Sequence, residues 1–106
     1  MRYRIWQFDW HSVPRDERFD AMSGRPLSWD RYNLVATIHA TDLEDAFRRT
    51  QSISGPWYEA AETVFAPSRS VCVGDVIEDS HGGRHIVQMC GFAPYAPPSA
   101  PPAPSV

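Results

Sequence analysis

Residues Tyr3 to Trp10 alternate as a pleated strand does, yet they carry large groups on both sides: Tyr3, Ile5 and Gln7 on one, Trp6, Phe8 and Trp10 on the other. A strand with two apolar faces must lie inside a sheet, or at an edge that something else covers. The chain has 106 residues, 42% of them hydrophobic, which supplies one domain with a modest core, and one layer of helix on one sheet is about its limit.

Tyr32 to Ala40 is rich in β-formers and reads as the second strand. A helix start follows directly. Thr41-Asp42-Leu43-Glu44 has the form of a capping box, in which the Thr hydroxyl meets the amide three residues on and the Glu reaches back. Leu43, Ala46, Phe47 and Thr50 then form one stripe at i, i+3, i+4 and i+7, with Glu44/Arg48 and Asp45/Arg49 paired on the wet side. The stripe predicts that this helix packs on the sheet through Leu43 and Phe47. Between the two strands, His11 to Pro26 is polar and interrupted by Pro14, Gly24 and Pro26, so it reads as a long surface loop held down by Phe19 and Met22.

Beyond Gly55-Pro56, the spacing of Trp57, Ala60, Ala61 and Val64 predicts a short second helix starting at Pro56. Val71 to Asp79 is a β-branched run containing a Gly74-Asp75 turn, Ser80 to Gly83 is a hairpin loop, and His85 to Phe92 is the return strand. The expected fold is α+β: a small, mostly antiparallel sheet of about four strands with one or two helices packed on one face. Residues 1–92 form that domain. From residue 93 the chain carries six prolines and no charge, a composition that cannot repay its ordering entropy, so 93–106 is expected to be a disordered proline-rich tail in which polyproline II is the natural local state.

Ten basic residues face thirteen acidic ones, giving a net charge of -3. That balance speaks against direct nucleic-acid binding, which favours the opposite sign. All the cations are arginine, a choice that either reflects a GC-rich coding bias or supplies guanidinium forks for carboxylate and phosphate. The N-terminus alternates with polar residues and is no signal-peptide core, no apolar run approaches the length of a membrane span, and two cysteines are too few for a disulfide scaffold. A cytoplasmic protein without a membrane partner is the expectation.

Constellations that carry chemistry are weak. His81, His85, Cys72 and Cys90 fall within nineteen residues but lack the close Cys pair that nucleates a structural zinc site, so no metal is expected. Cys72 with His39 or His85 lacks the local signature of an activated nucleophile. Asp75 and Glu78 or Asp79 alternate along a strand and read as a turn residue and solubilising charges rather than an acid–base pair. Gly82-Gly83 has no strand-to-helix context for a phosphate cradle. Neither catalytic residues nor a cofactor are expected.

The four tryptophans exceed what one small core easily uses. Trp10, Trp29, Trp57 and Tyr58 are therefore the candidate protein-binding residues, presented as exposed aromatic anchors.

The run Arg69-Ser70-Val71-Cys72-Val73-Gly74-Asp75-Val76-Ile77, followed by Ile86-Val87-Gln88-Met89-Cys90-Gly91-Phe92, resembles the C-terminal motif of the YodL-like domain family. Tyr32-Asn33-Leu34-Val35 and Leu43-Glu44-Asp45-Ala46-Phe47 are similar to that family's strand and acidic helix start, so the resemblance spans about residues 3 to 92. It implies the biology of plasmids, phages and conjugative elements and brings no catalytic residues. The expected function is a non-enzymatic interaction module of a phage or mobile genetic element, binding a protein partner through aromatic surface. The alternative is a counter-defence inhibitor, anti-CRISPR-like or antirestriction-like, whose acidic surface blocks a nucleic-acid-binding protein.

Overall fold

The strand with two apolar faces lies near the middle of the sheet. The computed structural model describes residues 1–51, 55–66 and 69–97. It contains the strands β1 (Arg2–Phe8), β2 (Tyr32–His39), β3 (Thr63–Val64), β4 (Val76–Glu78), β5 (Arg84–Val87) and β6 (Phe92–Pro94), and the helices α1 (Arg15–Met22) and α2 (Leu43–Arg49). The strands form one antiparallel sheet in the order β3-β2-β1-β4-β5-β6. Six strands replace the expected four. A bulge sits in β2, where Ile5 pairs with Ala36 and Trp6 with Leu34, leaving Val35 as the extra residue.

Because both faces of β1 are apolar, both must be covered. On one face Tyr3, Ile5, Ile38, Ile77 and Val87 meet Ala46, Leu43 and Phe47 of α2, together with Trp57. On the other, Trp6, Phe8, Tyr32, Val76 and Ile86 meet Ala21 of α1 with Val13, Leu27 and Trp29. The helices thus lie on opposite faces rather than together on one. The second face is closed toward one end by a cross-strand row in which Glu78 receives Arg84 Nε at 3.1 Å, Trp6 Nε1 at 3.3 Å and Arg4 Nη1 at 3.6 Å.

Several local expectations shift. The His11–Pro26 loop contains α1, and Phe19 and Met22 point outward while Val13, Ala21 and Leu27 do the anchoring. The cap of α2 slips by one residue: Asp42 Oδ1 accepts from the Asp45 amide at 2.8 Å, and Asp45 Oδ2 accepts from the Thr41 amide at 3.0 Å. Asp45 then takes both Arg48 and Arg49, so Arg48 pairs three residues back and not with Glu44. The helix expected from Pro56 is a single 3-10 turn over Trp57–Ala60.

The return strand expected over His85–Phe92 ends at Val87. A turn at 88–91, with Gly91 at φ +83°, sends the chain back as β6. Ordered structure therefore passes the boundary drawn at residue 92 and reaches Tyr95, whose hydroxyl donates to Leu27 O at 2.5 Å. Residues 98–106 of the expected tail lie outside the described residues.

Candidate functional site

At the end of β1, Asp9 turns the chain: its carboxylate accepts from the His11 amide at 3.0 Å and the Ser12 hydroxyl at 2.7 Å. Pro14 then fixes the entry into α1, and Asp16 and Glu17 in the first turn complement the positive end of the helix dipole. The inner side of α1 is small. Gly74, at φ +94°, lies so close beneath it that a Cβ there would come within 2.6 Å of Ala21 O.

With so little volume on the inner side, the large residues of α1 fall outside. Arg15, Arg18, Phe19 and Met22 stand at i, i+3, i+4 and i+7 and so share one face. Phe19 is 56% exposed and Met22 50%. Together with half-buried Trp10, these four line a depression of about 200 Å³. The Arg15 guanidinium lies 5.9 Å from the Phe19 ring centroid, and Arg18 Nε donates to Val13 O at 3.1 Å.

Charge marks the same face. Eight of the ten arginines have a carboxylate within 4 Å. Arg15 and Arg18 have none among the described residues. Of the helix's own three acids, Glu17 is taken by Arg31 at 3.0 Å and Asp20 by Arg25 at 2.7 Å, while exposed Asp16 in the first turn has no arginine within 4 Å among the described residues.

Of the four aromatic candidates from the sequence, only Trp10 belongs to this face. Trp29 lies half-buried against Trp6 (4.7 Å between centroids), Tyr32 and Tyr95 (5.3 Å each), with the Arg84 guanidinium stacked 3.8 Å over its ring. Trp57, expected to be exposed, is buried at 5% and donates its indole N–H to Arg69 O at 2.8 Å. Tyr58 is half-buried edge-on to Trp57. These three aromatics cover the two sides of the sheet, which absorbs more tryptophan than one single-faced core would.

Asp75 is also displaced from its expected role, being fully buried. Arg69 grips it with both arms at 2.6 and 3.0 Å, the Cys72 amide donates at 2.9 Å, and Gln7 Nε2 lies at 3.4 Å. Burial pushes the Asp75 carboxyl up, while Arg69 and the Cys72 amide pull it back. Cys72 beside it is pushed up to about 11 by burial and by Asp75, so at neutral pH it is a thiol and a poor nucleophile.

The remaining His and Cys residues do not converge. His85 pairs with Asp79 at 3.0 Å, His39 with Glu62 at 2.9 Å, and His81 and Cys90 sit exposed in turns. Among the described residues no three His, Cys, Asp or Glu side chains are grouped to hold a metal ion. A second apolar groove, about 280 Å³, runs between α2 and the 88–91 turn past Phe47, Val87, Met89 and Phe92. Its one charged lining residue is Glu44.

Phe19 and Met22, expected to hold the segment down, instead form this exposed face. The signal lay in Pro14-Arg-Asp-Glu, a helix start, combined with the i, i+3, i+4, i+7 spacing of Arg15, Arg18, Phe19 and Met22. No helix among the described residues is long and apolar enough to cross a membrane. No protein-family model matches the chain, and neither a curated protein nor a solved structure matches it.

Proposed function

We propose that this chain is a non-enzymatic protein-interaction module whose docking face is the outer side of α1 with Trp10. The observation that carries the reading is the pair Phe19 and Met22, large apolar side chains left exposed side by side on one helix face that also carries two unmatched arginines. The resemblance to YodL-like domains adds the context of a phage or other mobile element. Support for the inhibitor reading is weaker, since Asp45, Asp75 and Glu78 are buried and the more exposed Glu17, Asp20 and Glu62 are each matched by arginine, which thins the acidic surface.

A tagged full-length chain expressed in its native host tests the reading. The wild type and a Met89→Ala control should retain the same partner, and Phe19→Ala/Met22→Ala should lose it while melting at the same temperature. Retention by the double variant would place binding elsewhere.

A further inference from the structure

We infer that the partner presents a short acidic and apolar segment to α1, its carboxylates meeting Arg15 and Arg18 and an aromatic or aliphatic side chain entering between Phe19, Met22 and Trp10. This rests on the docking face proposed above and specifies its chemistry.

The argument is one of charge complementarity. Every other arginine in the chain has a carboxylate within 4 Å, including Arg2 and Arg4 on β1, Arg84 on β5 and both arginines of α2. Among the described residues the pattern breaks only at Arg15 and Arg18. Both lie on a face that exposes Phe19 and Met22; of the acids on the same helix, Glu17 and Asp20 are committed to Arg31 and Arg25, and Asp16, though unmatched, lies more than 4 Å from either guanidinium. Arg18 is also held in place, since its Nε bond to Val13 O fixes the stem and leaves the two Nη groups free to fork onto a carboxylate. The depression between the arginines, about 200 Å³, suits one or two side chains rather than a folded domain's edge. A nucleic acid would satisfy the arginines but not the apolar pair, and two unmatched cations on a chain of net charge -3 make a poor phosphate track.

Three short fluorescein-labelled peptides test this on the full-length protein: one alternating Asp and Glu with Leu and Phe, one with Lys in place of the acids, and one with Ala in place of the apolar residues. Only the first should bind, more weakly as salt rises. Arg15→Glu/Arg18→Glu should reduce that binding about tenfold or more and take up the Lys peptide instead, a reversal that a merely structural role of the arginines would not produce. Failure of the acidic peptide to bind, equal binding of the Lys peptide by the wild type, or undiminished binding to the charge-reversed protein would overturn the proposal. The two readings fail separately. A host partner that needs Phe19 and Met22 while the acidic peptide is ignored overturns the acid assignment alone, whereas a partner kept by Phe19→Ala/Met22→Ala removes the docking face as well.

Discussion

Removing the guanidinium of Arg69 would leave Asp75 buried with one amide, and at a distance Gln7, in place of its bidentate partner. Arg69→Met is expected to cost about 3–5 kcal/mol by urea denaturation at neutral pH, the usual loss when one member of a buried ion pair is deleted. Because burial already raises the Asp75 carboxyl, losing Arg69 raises it further. Such a group is best tolerated protonated, so the deficit should narrow as the pH is lowered.

Asp45 behaves in the opposite sense. Arg49, the Thr41 amide and Arg48 hold its carboxyl well below the ordinary range. A depressed carboxyl stabilises the fold above its unfolded value and loses that contribution as the pH falls through the folded one. Asp45→Asn should therefore destabilise fully above about pH 5, with the gap to the wild type closing in denaturation midpoints taken down to about pH 2. Neither role was legible from spacing alone. Arg69 and Asp75 lie six apart in irregular chain, where periodicity carries no information, and the box at Thr41–Glu44 differs from the real one at Asp42–Asp45 by one position that hydrogen-bond geometry alone decides.

Elements were legible where their inward faces are apolar and contiguous. β1, β2 and α2 each bury a run at period two or a stripe at i, i+3, i+4, and each was read within about two residues of its observed ends. α1 inverts the usual rule: it anchors through Ala21 and turns Phe19 and Met22 outward, so its pattern resembles a loop with two stray apolar residues. β6 was hidden by proline composition, although Pro94 closes a strand at the sheet edge, where a missing N–H costs least. That edge makes a sharp prediction. A chain ending at Pro97 should melt with the full-length protein, because 98–106 holds no large apolar group other than Val106. Ending at Phe92 also removes Ala93, the Tyr95–Leu27 hydrogen bond and the Tyr95 contacts with Trp29 and Tyr32. Its cost should be about 2 kcal/mol or more, read as a lower melting temperature.

At the scale of the whole molecule, the two covered faces of the sheet explain why the aromatic content is structural and why the exposed face on α1 stands apart from it. Arg15→Glu, Phe19→Ala and Met22→Ala should each change stability by no more than about 0.5 kcal/mol in chemical denaturation, and Arg18→Glu, which also loses the Nε bond to Val13 O, by about 1 kcal/mol. The central place of β1 has a temporal consequence as well. Of the six strands of this sheet, β1 is made first and is among the last to be satisfied, because Trp6 pairs on β4 with Val76, 70 positions further along the chain. Until that stretch emerges, a nascent chain can close only the β1–β2 hairpin side, and one long edge with apolar groups above and below stays open to other chains. Premature termination before Val76 would yield a species prone to self-association rather than a smaller folded unit, and the burden of keeping such intermediates apart would fall on the cell's chaperones.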